Sequence, residues 1–423
     1  MRHFFHVLAV LAALILWPSL AGATEIQIHL ITMGVGDHIF TRAGHAAVMV
    51  AEVEKGAPRR TTIYNYGETD WDNPYLVPQF LRGNLVFFLS ESDGLFQTVN
   101  EYGVRQGRSV YRQRLNLSPE QAVEVARRLK EGSVVGKREY FFHHSRAVCS
   151  TRITDLLDDV LKGHIRAELG SQLGGLTARD YQELITSGQY LTSIGADLFV
   201  GRLHDRIFNK YEATSYPDHM REHLQAVHVP GPSGDRVPLA EPPVALAELP
   251  NPPVIKKSWF THFFWGVLIV MLLGYGASAY RRAGAAPEEA AGVVMTAAIA
   301  SGIVGLIMVG FMVLSRVPEF RQNELILVFL PTDLWLAWRM RRLAKKRIAL
   351  DTWVQGYAHA RLALAALAVL GQLTGLLYQR PRILLAVGVV EALVIWGLVR
   401  ALRGRAVAAG AASKSATEVT ARA

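Results

Sequence analysis

The chain has 423 residues, half of them hydrophobic, with 45 lysines and arginines, 36 aspartates and glutamates, and one cysteine. A single thiol excludes an internal disulfide framework. The positive excess is localised, since 20 basic and 8 acidic residues lie from Asn251 onward against 25 and 28 before it. That points to membrane topology and anionic lipid and away from nucleic acid as a partner.

Residues 1–23 carry one arginine, an apolar run and the small residues Ala21-Gly22-Ala23, the pattern of a secretory signal; the alternative is an uncleaved anchor helix. Either places the next segment outside the cytoplasm. Residues 24–228 are long enough for one domain with its own core and read as mixed α and β. "EIQIHLITM" alternates Ile26, Ile28 and Leu30, and "HAAVMVAEV", "TTIYNYG" and "NLVFFLS" are further strand candidates. "SPEQAVEVARRLKEG" predicts a helix with Ser118 as N-cap, Pro119 at the first position, Gln121 completing a capping box and Gly132 as the stop. A second helix should open at or near Cys149, because Ile153, Leu156, Leu157 and Val160 recur at helical spacing.

The Pro-rich stretch 229–258 reads as an unstructured tether. Beyond it come five apolar stretches, 259–280, 290–315, 323–338, 362–378 and 383–399. They predict an all-α membrane bundle of about five helices over 259–402, with a tail at 403–423. Five spans after an external domain leave the C-terminus cytoplasmic, and the loop with Arg339, Arg341, Arg342, Lys345, Lys346 and Arg347 then obeys the positive-inside rule. Asp333, costly in lipid, should face the bundle interior.

Cys149 is a candidate nucleophile. A thiol at a helix N-terminus meets unpaired N–H groups and the positive end of the dipole, which favour the thiolate. The alternative is a small buried apolar residue. His45 is the candidate base, at the start of a strand-like run and flanked by Gly44, Ala46 and Ala47, which leave room around the imidazole. His143 and His144, with His38 and His45, raise the question of a metal. No H-E-x-x-H spacing exists, and adjacent histidines on regular structure diverge, so neither metal nor cofactor is expected.

"GDHIFTRAGHAAVMV", "YNYGETDWDNPYLVPQFLRGNLVFFLS", "YRQRLNLSPEQ" and "CSTRITDLLDD" together resemble, in order and spacing, the periplasmic domain of the bacterial lipoprotein N-acyl transferase Lnb family. A fainter likeness continues through "GADLFVGRLHDRIFNKYEATSYPDHMREHL" and "RQNELILVFLP". The resemblance implies an α+β, papain-like cysteine-enzyme domain. In it Cys149 would attack a lipid ester, His45 would act as base, and the thioester would pass its acyl chain to an amine. Membrane lipids and lipoproteins are the implied partners. The family's usual Asp-Asn before the cysteine is Ala147-Val148 here, which removes any help from that asparagine.

Asn65 and Tyr66, in the Asn65-Tyr66-Gly67 motif, could orient His45 or donate to an oxyanion, or simply close a strand. Arg152 could bind a phosphate or carbonyl. Asp155, one turn further on, could instead form a structural ion pair with it. Three function classes fit these residues: the acyltransferase, a papain-like hydrolase with water as acceptor, and a non-catalytic envelope module. The oligomeric state is not encoded in any motif.

Overall fold

The computed structural model describes residues 24–37, 41–231, 234–250, 258–283, 286–345 and 350–422. The signal region 1–23 and His38 lie outside them. Strands β1 (Glu25–Met33), β2 (His45–Glu54), β3 (Ala57–Glu68), β4 (Val86–Asp93), β5 (Val110–Arg114) and β6 (Glu139–Phe141) join a seventh, β11 (Val244–Ala247), in one sheet of order β11-β5-β1-β2-β3-β4-β6. All its pairs are antiparallel. Two ribbons, β7 (Leu173–Thr177) with β8 (Ile207–Asn209) and β9 (His228–Pro230) with β10 (Arg236–Pro238), stand apart from it.

Both faces of the sheet are covered. Ala46, Val48 and Val50 of β2 join Tyr64 and Tyr66 of β3 under helices α3 (Pro119–Gly132), α4 (Cys149–Val160) and α9 (Pro217–Ala226). Ala47, Met49 and Ile63 face the other way, under Leu95 of α2 (Leu95–Thr98) and Val99 and Tyr102 of the π turn that follows it. Burial on both sides is why "HAAVMVAEV" reads as an almost unbroken apolar run. Helix α3 keeps the capping box foreseen for it, with the Gln121 N–H donating to Ser118 Oγ and the Ser118 N–H to Gln121 Oε1.

The expected tether is a correction. Part of 229–258 is built into the domain: β11 pairs with β5 at the sheet edge, Leu239 and Ala240 are buried in the core, and Ser109 Oγ donates to Leu249 O at 2.8 Å. Proline tolerates an edge position, where one side of the strand needs no ladder donor, so a Pro-rich sequence conceals a strand. Residues 251–257 lie outside the described set.

Five helices follow: α10 (Ser258–Arg282), α11 (Pro287–Leu314), α12 (Asp333–Ala344), α13 (Thr352–Thr374) and α14 (Arg382–Arg422). The short helices α1 (Leu76–Arg82), α5 (His164–Leu169), α6 (Ala178–Ile185), α7 (Tyr190–Phe199) and α8 (Lys210–Ala213) complete the first domain. Among the described residues three helical stretches are long and apolar enough to cross a membrane: Phe263–Arg282, Pro287–Leu314 and Arg382–Arg403. The expectation of five such spans is thereby reduced. Stretch 323–338 begins as a 3-10 turn, Glu324–Leu327, and turns α-helical only at Asp333, because Pro331 cannot donate to a helix and the Glu324 carboxylate is engaged by the N–H groups of Tyr378 and Gln379. Gly302 and Gly305 of α11 let this broken segment lie against the helix; a Cβ on Gly305 would come within 2.3 Å of Phe329 O. Helix α13 carries Arg361, and α14 continues through the expected tail to Arg422.

Asp333 is 0 % exposed and takes a two-pronged bond from Arg361 Nε at 3.0 and 3.1 Å, with Ser301 Oγ at 2.6 Å and Tyr357 OH at 2.8 Å. The bundle thus offsets the cost of burying this carboxylate by pairing both of its oxygens. Two apolar layers lie along the bundle: one holds Ala279, Ala290, Met340, Val354 and Leu402, the other Trp265, Met308, Val328, Ala365 and Leu384. The second layer reaches Ile194, Leu198 and Phe199 of α7, so it is the end facing the first domain. The union is tight: the Gly201 N–H donates to Glu319 O at 2.7 Å, Asn323 Nδ2 to Leu198 O at 2.7 Å, and Arg380 Nη1 to Asp180 Oδ1 at 2.6 Å. The motifs "GADLFVGRLHD" and "RQNELILVFLP" are the two sides of this joint.

Candidate functional site

Cys149 opens α4, whose Ile153, Leu157 and Val160 are buried against the sheet, as the periodicity predicted. Val148 at the N-cap has no side-chain oxygen to offer. Thr151 compensates: the Val148 N–H donates to Thr151 Oγ1 at 2.9 Å, and that hydroxyl donates to Val148 O at 3.0 Å. Ser150 Oγ donates to Ser215 O at 2.8 Å and pins the same turn to the rest of the domain.

His45 is the first residue of β2, and the antiparallel register Ala47↔Asn65 carries it opposite Gly67. Gly67 is the extra residue where the β3–β4 register shifts between Tyr66 and Glu68, with φ +115°. A Cβ placed there would lie 3.2 Å from His45 Cε1, 3.8 Å from His45 Nδ1 and 3.8 Å from Cys149 Cβ. The imidazole and the cysteine, 104 positions apart, therefore converge on one glycine whose missing side chain leaves the space between them. Each keeps part of its surface accessible.

Asn65 Oδ1 lies 2.5 Å from His45 Nε2. The carboxamide is itself oriented, since its Nδ2 donates to Glu68 Oε1 at 3.0 Å and to Tyr102 OH at 3.4 Å. With nitrogen directed to Glu68, oxygen faces the ring, so Nε2 carries the proton and donates, and Nδ1 is left as the acceptor on the Gly67 side. The Tyr102 ring stacks on His45 at 5.8 Å, and Arg108 lies 5.1 Å over Tyr102.

Burial sets the charge state of the pair. It pushes the Cys149 thiol up to about 11, against the lowering effect of nearby N–H groups of Ala46, Ser150 and Cys149 and of the Arg108 charge. The helix start acts in the expected direction, and desolvation acts against it as the larger effect. Burial likewise lowers His45 to about 4, partly offset by the Asn65 bond. Glu68, Tyr66 and Tyr102 are all raised, chiefly by burial. At neutral pH the resting pair is a thiol beside a neutral imidazole.

The remaining sequence candidates separate. Tyr66 points to the α4 face and meets Tyr140 edge-on at 6.2 Å, and the exposed Arg152 guanidinium lies 5.3 Å over Tyr140 and 6.0 Å over Tyr66, on the Cys149 side of the sheet. Asp155 is turned away, accepting from Tyr211 OH at 2.6 Å and Arg166 Nη2 at 3.4 Å; it does not pair with Arg152. Sequence reasoning missed Glu68, Tyr102 and Arg108. Glu68 adjoins the motif already singled out, whereas the other two come from a π turn and a loop with no local pattern.

The fold defines an α+β domain joined to a helical bundle containing membrane-length helices, a membrane protein with one large extramembrane domain. Residues 19–186 match the family described as the Lnb N-terminal periplasmic domain, so this part of the chain is similar to that family. No curated protein and no solved structure matches the chain.

Proposed function

We propose that this protein is a membrane-bound, thiol-dependent acyltransferase acting on lipoproteins or lipids at the outer face of the cytoplasmic membrane. The observation that carries the reading is the convergence of Cys149 and His45 on Gly67, with Asn65 holding the far nitrogen of the ring. A nucleophile opening a helix packed on an antiparallel sheet, with its base at a strand start and a carboxamide behind it, is a papain-like arrangement.

As Cys149 Sγ attacks an ester carbonyl, its proton passes to His45 Nδ1. The C–S bond forms, the ester C–O bond breaks, and the proton moves to the departing alcohol oxygen. An amine then attacks the thioester, gives a proton to His45, and expels sulfur, which takes that proton and restores the thiol. The N–H groups of Ala46, Cys149 and Ser150 lie beside the sulfur, where they favour the charge it takes on as its proton leaves. The enclosure that shifts five neighbouring groups toward their neutral forms also disfavours water as the second nucleophile, which supports transfer over hydrolysis. Arg152, exposed above Tyr140 and Tyr66, is suited to an anionic headgroup or a carbonyl.

Mass spectrometry of lipoprotein N-termini in cells with and without the protein tests the reading. An N-acyl group that disappears with the gene supports transfer. Loss of an ester chain with no acylated amine would assign hydrolysis instead, and unchanged lipoproteins and lipids would defeat both.

Three membrane-length helices after an extramembrane N-terminal domain are an odd number, so we place the C-terminus on the cytoplasmic side. Reporter fusions after Ala423 and within 200–250 should give opposite readouts; matching readouts would refute this topology.

A further inference from the structure

The turn leading into the Cys149 helix gathers a second set of side chains that acyl transfer does not use. His143 and Ala147 close it, the Ala147 N–H donating to His143 O at 3.0 Å and the His143 N–H to Ala147 O at 3.2 Å. In this turn the two adjacent imidazoles do not diverge as on a regular strand but stack, with centroids 4.8 Å apart. Glu319, from the 3-10 turn Pro318–Phe320 between α11 and α12, meets them with Oε2 3.2 Å from His143 Nε2. One ligand atom each from His143, His144 and Glu319 lies within 4.8 Å of the other two.

A His143–Glu319 ion pair accounts for only part of this. The 3.2 Å contact pairs His143 Nε2 with Glu319 Oε2, whereas His144 Nε2 is buried with no hydrogen-bond partner among the described residues. Unsatisfied buried polar atoms are rare in folded proteins and call for a missing partner. Arg146 sits 3.8 Å from the other carboxylate oxygen, Oε1, which leaves Oε2 to the imidazoles. His204, whose Nδ1 is likewise buried and unpartnered, lies behind His144 at 5.2 Å between centroids.

We propose that His143, His144 and Glu319 form a site for a divalent transition-metal ion of the zinc type. Two imidazoles and one carboxylate are a zinc donor set with a fourth position open, whereas calcium and magnesium prefer oxygen throughout. The Ser145 N–H donates to His143 Nδ1 at 3.3 Å, so in the metal-free site Nε2 carries the proton and would release it on binding the ion. The ion would tie the turn before Cys149 to the membrane bundle, since the same Glu319 also accepts the Gly201 N–H through its backbone. The site stands independently of the acyltransferase reading.

Full-length protein in detergent, stripped with chelator and titrated with Co(II), should bind one ion per chain and develop visible d–d absorption without a sulfur charge-transfer band. His144→Ala and Glu319→Gln should each weaken Co(II) binding by about 100-fold or more, since even outer-shell losses reach that range. Cys149→Ser should bind Co(II) like the parent. Zn(II) should displace Co(II) and raise the Tm of the parent but not of Glu319→Gln. Parent protein that takes up neither metal would overturn the site, whatever the variants do. Uptake that persists in both ligand variants, or that vanishes in Cys149→Ser, would overturn it as well.

Discussion

Cys149→Ser is expected to reduce acyl transfer by about 10⁴-fold or more, in the range found when a catalytic nucleophile is removed, while the protein still folds and inserts. The substitution removes little volume. Cys149 only borders the α4 core, and the bonds that fix the helix start, from Val148 to Thr151 and from Ser150 to Ser215, do not involve its sulfur. Chemistry is another matter. Burial already holds the thiol at about 11, and a hydroxyl in the same surroundings is far less acidic and a poorer nucleophile. Because His45 is lowered to about 4, the free site is neutral on both members across the physiological range, and attack requires proton transfer to His45 as sulfur advances. The pH dependence follows in sign. On the acid side kcat/KM should fall only as pH approaches about 4, where His45 takes a proton. Alkylation of Cys149 by iodoacetamide should keep climbing from neutral pH toward about 11, because the thiolate fraction is still growing there. Full lipid-modifying activity in Cys149→Ser would assign the cysteine to the core; an alkylation rate already at its plateau at pH 7 would instead reveal a preformed thiolate.

Local signals were readable where one periodicity decided the structure. Ser118, Pro119 and Gln121 define the start of α3 without tertiary help, and the stripe from Ile153 to Val160 places α4 and with it Cys149 at a helix start. The site itself depends on features with no period. Gly67 matters because a register shift leaves it opposite His45, and the role of Asn65 depends on Glu68 and Tyr102 turning its carboxamide. The thiol's surroundings were legible only in part for a related reason: a helix terminus can be recognised in one dimension, but the burial that opposes its effect cannot. The same limit hid β11, whose partner β5 lies more than a hundred residues earlier, and the break at Pro331, where hydropathy alone suggested a continuous span. His143 and His144 were judged divergent on the assumption of regular backbone, and the turn closed by Ala147 removes that assumption.

His45→Ala should lower acyl transfer about as severely as Cys149→Ser, by removing the proton acceptor and leaving the sulfur intact. The two residues act on one proton in one step. The double variant should therefore be little worse than either single, as for other nucleophile–base units. Losses that multiply would mean separate roles and would break the dyad. Two milder changes probe the geometry. Asn65→Ala frees the imidazole to rotate and to adopt the other tautomer, so kcat should fall by about 10- to 100-fold, the range of supporting-contact losses, with KM little changed. Gly67→Ala adds one methyl 3.2 Å from His45 Cε1 at a backbone angle alanine rarely adopts. It should press the ring away from the sulfur and lower kcat, yet leave iodoacetamide labelling of Cys149 at high pH nearly unchanged, because a thiolate formed by hydroxide needs no base. If Gly67→Ala kept full activity, or if it lost labelling and transfer together, the space between His45 and Cys149 would not be where the proton moves.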